Sequence, residues 1–125
     1  MIVEDNSFQR DILEKLLDKL GFQVDISVNG HRAILSYKAH AKKGEFYDII
    51  LMDIYMPEMD GFEATKEIRL IEKKNPQFPR SFICGMSSEE NKSLISKCIK
   101  FDLNLFLPKP ISLNSLKDFL FHFYK

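Results

Sequence analysis

The stretch Tyr47-Asp48-Ile49-Ile50-Leu51-Met52-Asp53 runs from a short, unbroken apolar segment into a carboxylate. Unbroken apolar character over so few residues marks a strand buried on both faces, as in a parallel sheet covered on each side by helices. Similar runs recur on either side of it, at Met1 to Val3, Phe22 to Val28, Ser81 to Met86 and Leu103 to Leu107. In the second, Gln23, Asp25 and Ser27 alternate with Val24, Ile26 and Val28, the pattern of an edge strand with one wet face.

Between the runs the period changes from two to about 3.6. Phe8, Ile12, Leu16, Leu17 and Leu20 outline a first helix, with Ser7 as its expected cap and Gly21 at its stop. Ala33, Ile34, Tyr37 and Ala41 outline a second, ending at Gly44, and Phe62, Thr65, Ile68, Arg69 and Glu72 a third, broken by Asn75-Pro76. Leu94, Ile95, Cys98 and Ile99 belong to a fourth, and Leu116, Phe119, Leu120 and Phe123 to a fifth. The expected fold class is therefore α/β, a (βα)5 doubly wound five-stranded parallel sheet. Right-handed crossovers place helices on both faces and send ligands to the carboxyl ends of the strands.

Composition agrees with one globular domain over residues 1–125: 45% of residues are hydrophobic and 29% charged, with five Gly and five Pro. Eighteen basic side chains against eighteen acidic ones leave no general pull toward nucleic acid or anionic membrane, so direct nucleic-acid binding is not expected. No apolar run approaches the roughly 18 residues of a membrane helix. Cys84 and Cys98 form no CxxC pair and read as buried, reduced thiols of a cytoplasmic protein. His31, His40 and His122 lack ligand spacing and read as solvated surface histidines. No GxGxxG or GxxxxGK[ST] follows a strand, which argues against nucleotide binding.

The residues that end the strands carry the chemistry. Glu4 and Asp5 follow the first, Asp53 the third, Ser87 the fourth and Lys109 the fifth. Carboxylates crowded at one edge repel unless a cation compensates, and a hard divalent ion such as Mg²⁺ suits oxygen donors. Beside such an ion Asp53 can act as a nucleophile toward phosphorus, while Lys109 and the Ser87 hydroxyl neutralise the transferring oxygens.

These motifs resemble the receiver domains of two-component response regulators and hybrid histidine kinases, whose fold is CheY-like. Val3-Glu4-Asp5-Asn6 is similar to the family's acidic motif, Leu51 to Gly61 to its phosphoacceptor loop, and Leu107-Pro108-Lys109-Pro110-Ile111 to its lysine motif with a cis peptide. The resemblance covers the whole chain. It implies phosphorylation of Asp53 and Mg²⁺ or Mn²⁺ held by Glu4, Asp5, Asp53 and the main-chain carbonyl of Tyr55. It also implies a Lys109 contact to the phosphoryl group and a Ser87 and Phe106 switch pair. The implied partner is a histidine kinase or histidine phosphotransfer protein. The implied role is a self-phosphorylating acceptor with slow autodephosphorylation, rather than a turnover enzyme.

Three departures stand out. Only three residues precede Glu4, fewer than the family usually has, so the expectation is a cytoplasmic domain cut from a longer protein with a sister domain, a choice between a separate regulator and the cytoplasmic part of a hybrid kinase being left open. Tyr55 is bulky for its place beside the acyl phosphate; with Glu89 it shapes water access, and its ring is expected to act as a shield. Cys84-Gly85-Met86 is less aliphatic than the family's fourth strand and is expected to loosen packing. Two other functions compete. A phosphohydrolase of the haloacid dehalogenase type would need an Asp where Tyr55 stands. A phosphorylation-independent, receiver-like interaction module would not need Asp5, Asp53, Ser87 and Lys109. The aromatics Phe119, Phe121, Phe123 and Tyr124 exceed one core-facing stripe and leave open a choice between core packing and a partner surface.

Overall fold

In the computed structural model, which describes residues 1–124, strands and helices alternate without exception. The elements are β1 (Ile2–Val3), α1 (Ser7–Lys19), β2 (Ile26–Ser27), α2 (Gly30–Lys42), β3 (Ile49–Asp53), α3 (Gly61–Lys74), β4 (Phe82–Ser87), α4 (Lys92–Lys100), β5 (Leu105–Pro108) and α5 (Leu113–Phe123). All pairings are parallel and the sheet order is β2-β1-β3-β4-β5. β2 is the edge strand, as its alternation indicates, but only Ile26–Ser27 of the expected Phe22 to Val28 pair with β1.

The two-residue period of the strands divides the core. Ile50 and Met52 point to one face, where Tyr37, Phe62, Ile68 and Leu94 of α2, α3 and α4 cover them. Leu51 points to the other, against Leu13 and Leu17 of α1 and Leu116, Phe119 and Leu120 of α5. Cys84 lies in the second layer and Cys98 in the first, both buried and free. Burial pushes the Cys84 thiol up to about 12, so its nucleophilic thiolate is scarce at neutral pH.

Each helix starts on a side chain that accepts a backbone N–H three residues on: Asn6, Asn29, Asp60, Asn91 and Ser112. The cap of α1 is Asn6 rather than Ser7, because Asn6 holds the extended backbone a cap needs while Ser7 is already helical. Gly21 and Gly44 follow α1 and α2 with φ of 88° and 74°, the left-handed conformation that glycine takes without strain.

Two further expectations need correction. Gly85 does not loosen β4: a Cβ there would lie 2.8 Å from Leu103 and 2.9 Å from Ile54, so both side chains fill the space the glycine leaves. His40 is not a free surface histidine. Its Nε2 lies 3.2 Å from Asp25, and its Nδ1 lies 2.9 Å from the Ser36 carbonyl and 3.2 Å from the Tyr47 hydroxyl, joining α2 to the approaches of β2 and β3. The α5 aromatics divide by face, with Phe119 and Phe123 packed on Phe82 and Phe121 turned to solvent.

Tyr37 is 1% exposed, yet its hydroxyl has no partner among the described residues. Burial raises its pKa to about 12. A buried hydroxyl without a hydrogen bond is a net cost, so Tyr37→Phe is expected to stabilise the protein by about 1 kcal/mol in urea unfolding. A loss of stability would show that the hydroxyl is satisfied in solution.

Candidate functional site

Parallel pairing brings the carboxyl ends of β1, β3, β4 and β5 to one edge, and the residues just beyond them meet there. Glu4 and Asp53 are buried, at 0% and 3% exposure, while Asp5 faces solvent. One carboxylate oxygen from each of Glu4, Asp5 and Asp53 lies within 4.8 Å of the others. Lys109 reaches in from the far end of β5. Its Nζ lies 2.9 Å from Glu4 Oε2 and 3.1 Å from Asp53 Oδ1, and it donates to Gln9 Oε1 at 2.8 Å. Three acids and one ammonium leave the pocket short of positive charge.

That shortage appears in the titration of Asp53. Burial, then the hydrogen bonding and charge of Glu4, push its pKa up to about 7 against the opposing pull of Lys109. An acid held this high binds its proton more tightly folded than unfolded. Its contribution favours the fold below about pH 4 and is withdrawn as pH rises through about 7. Burial by itself would lower the Lys109 ammonium, but Glu4 and Asp53 outweigh it and the net shift is upward.

The backbone around the cluster is tightly set. Lys109 N–H donates to the Ser87 carbonyl at 2.8 Å, and the Lys109–Pro110 peptide is cis, as the resemblance implies. Ile54 N–H donates to the Met86 carbonyl at 2.9 Å and Gly61 N–H to the Ile54 carbonyl at 2.7 Å, folding the loop after Asp53 back onto the start of α3. Ser87 is buried, and its Oγ accepts from Glu89 N–H at 3.0 Å, which leaves the hydroxyl proton free for another acceptor. Phe106, half-buried on β5, sits in register with Gly85 and packs against the first core layer. Tyr55, two residues beyond Asp53, is 53% exposed, and Glu89, two beyond Ser87, is exposed as well.

Glu4, Asp5, Asp53 and Lys109, singled out in the sequence, thus form one cluster, with Ser87 at the end of the adjacent β4 and Phe106 on β5. Sequence reasoning missed two residues of α1: Gln9, which holds Lys109, and Arg10, whose guanidinium donates to the Glu4 carbonyl at 3.0 Å. Neither carries a motif; only the docking of α1 beside β1 brings them to the acids. Gly61, the last residue of the phosphoacceptor loop quoted from the sequence, lets the loop pass against the backbone of Asp53 and Ile54, a close approach that only the fold reveals.

A doubly wound sheet with an acid cluster and a lysine at its carboxyl edge is the arrangement that the resemblance to receiver domains implies. The sequence profile of the response regulator receiver domain matches residues 1–121, and the chain belongs to that family. Hybrid signal transduction histidine kinase A of Dictyostelium discoideum is 34% identical over 120 residues, which are 96% of this chain and 5% of that protein. The osmosensing histidine protein kinase SLN1 of Saccharomyces cerevisiae is 32% identical over 124 residues, 98% of this chain and 10% of that protein. The chain therefore corresponds to a small part of these relatives. The receiver domain of the histidine kinase CKI1 from Arabidopsis thaliana, complexed with Mg²⁺ and BeF₃⁻, superposes with a TM-score of 0.85 at 30% identity, covering 98% of this chain and 87% of that one. No helix among the described residues is long and apolar enough to cross a membrane.

Proposed function

We propose that this domain accepts a phosphoryl group onto Asp53 from a phosphohistidine of a histidine kinase or histidine phosphotransfer protein, and passes the signal on by changing shape. The carrying observation is the buried Asp53 carboxylate, 3.1 Å from the Lys109 ammonium and clustered with Glu4 and Asp5. A carboxylate oxygen of Asp53 attacks phosphorus; the bond from phosphorus to the donor imidazole nitrogen breaks, and its electron pair returns to that ring. Lys109 turns its charge toward a phosphoryl oxygen, and Ser87, its proton free, donates to another. Phe106, in register with Gly85 on the neighbouring strand, follows into the space Ser87 leaves.

The donor set fits a hard divalent cation: three carboxylate oxygens close together, one acid exposed for access, and too little positive charge nearby. Glu4, Asp5, Asp53 and the Tyr55 carbonyl would hold Mg²⁺, or Mn²⁺, whose charge neutralises the phosphoryl oxygens. The Tyr55 ring, 53% exposed and two residues beyond Asp53, would slow attack by water, so that the acyl phosphate is lost slowly. The low share of each relative that the chain covers supports a setting in a longer hybrid kinase, with the donor histidine on a sister domain and this domain on the cytoplasmic side.

The test is incubation with Mg²⁺ and acetyl phosphate followed by intact-mass measurement. One phosphoryl adduct is expected, absent from Asp53→Asn. An adduct that persists in Asp53→Asn would move the acceptor elsewhere, and no adduct in the wild type would favour the phosphorylation-independent interaction module. The titration adds a second expectation. Protonated Asp53 is a poor ligand, so Mg²⁺ should raise the melting temperature at pH 8 and have much less effect at pH 5.5. Equal effects at both pH values would place the ion away from Asp53.

A further inference from the structure

Far from the acid pocket, at the opposite edge of the sheet, a cleft of about 570 Å³ opens between the C-terminal parts of α3 and α4. It is lined by Lys66, Lys73 and Lys100 and by the apolar side chains of Leu70, Phe78 and Phe101. Arg69 and Arg80 line it too, together with Glu72 and Asp102, the acids that match them. Arg69 pairs with Glu72 at 2.8 Å and also donates to the Ser81 carbonyl and Asn104 Oδ1, while Arg80 pairs with Asp102 at 2.7 Å. Among the described residues none of the three lysines has an ion-pair partner, so the cleft concentrates uncompensated positive charge in a chain whose formal charge is zero.

Stabilisation of helix ends explains part of this, because Lys73 and Lys100 stand in the last turns of α3 and α4. It does not explain Lys66, which lies mid-helix, or Leu70, one turn beyond it and 39% exposed beside the cleft. We propose that the cleft binds an acidic, leucine-bearing peptide segment of a partner protein.

The chemistry selects a peptide over a phosphate. Helix C-termini present carbonyl groups and the negative end of the helix dipole, which oppose a compact dianion more strongly than single carboxylates that can each sit on a lysine away from the helix end. Lys66 and Lys73 stand seven residues apart, about 10 Å along the helix, a spread that suits separate carboxylates on an extended chain. Leu70, Phe78 and Phe101 in the same lining suit an apolar side chain and offer a phosphate nothing.

The probe is a fluorescein-labelled synthetic nonapeptide alternating glutamate and leucine, titrated with the full 125-residue chain at low salt and followed by anisotropy. Saturable binding is expected, weakened about tenfold in the triple variant Lys66→Gln, Lys73→Gln, Lys100→Gln and in 0.5 M salt. A nonaglutamate peptide is expected to bind more weakly than the alternating one, and Leu70→Ser to erase that preference. All four positions are exposed, and melting curves matching the wild type verify that the variants fold. The proposal is overturned by no saturable binding, by equal binding to the triple variant, or by no preference for the leucine-bearing peptide. It is also overturned if a dT12 oligonucleotide binds more tightly than the peptide, an outcome that would make the cleft a nucleic-acid site.

Discussion

Lys109→Ala is expected to cost about 3 kcal/mol of stability at pH 8 in metal-free buffer, with a much smaller loss at pH 5.5. Lys109 is the ammonium that touches both buried acids, at 2.9 Å from Glu4 and 3.1 Å from Asp53. Removing it leaves two buried carboxylates facing each other, the costly half of a broken buried pair. Below the Asp53 pKa of about 7 the pair holds a proton, so there is less charge for Lys109 to offset and less to lose. Urea unfolding of wild type and variant in EDTA at the two pH values measures this, and Mg²⁺ should recover part of the loss at pH 8. A loss that does not change with pH would mean that Lys109 contributes through packing. The same variant should also remove the phosphorylation-dependent chemical-shift change at Phe106 and in α4, because the ammonium that links the phosphoryl group to β5 is gone.

Gly61→Ala is expected to cost about 3 kcal/mol and to slow phosphorylation by acetyl phosphate about a hundredfold. A Cβ at Gly61 would overlap the Asp53 carbonyl oxygen and lie 2.9 Å from Ile54 Cα and 3.0 Å from the Asp53 carbonyl carbon. All three are backbone atoms, so no side chain can turn aside to make room. The relief available is to shift β3 or α3, and either shift moves Asp53 relative to Lys109. Gly44→Ala is the control: it has open space around it but a φ of 74°, so it should cost about 1 kcal/mol and leave the reaction rate unchanged. If Gly61→Ala is no more damaging than Gly44→Ala, close approach is not why glycine stands at position 61.

Much of the architecture was legible because period and burial are tied together. Ile49 to Met52 could stay apolar without alternation only in a strand covered on both faces, and the polar alternation from Gln23 to Ser27 could belong only to an edge. Strand ends were harder to read. β2 keeps two of its seven expected residues, since pairing needs a neighbour in register and β1 itself offers only Ile2–Val3. Gly85 misled for a related reason. A missing side chain reads as a void until Leu103 and Ile54, distant in sequence, are seen to fill it.

The candidate site divides along the same line. The sequence alone determined which chemistry is available, because in a parallel sheet every strand delivers its last residue to the same edge, and those residues here are acids, a serine and a lysine. Only the tertiary structure decided how that chemistry is tuned. The near-neutral titration of Asp53 arises from burial and from Glu4, a residue 49 positions away that meets it across the β1–β3 pairing. Gln9 on Lys109, His40 on Asp25 and Tyr47, and the cleft between α3 and α4 are likewise products of helix docking. Composition and period say that a side chain is polar or that a helix has an outer face; they do not say what stands opposite it, and electrostatic energies depend on that distance and on the water excluded from it.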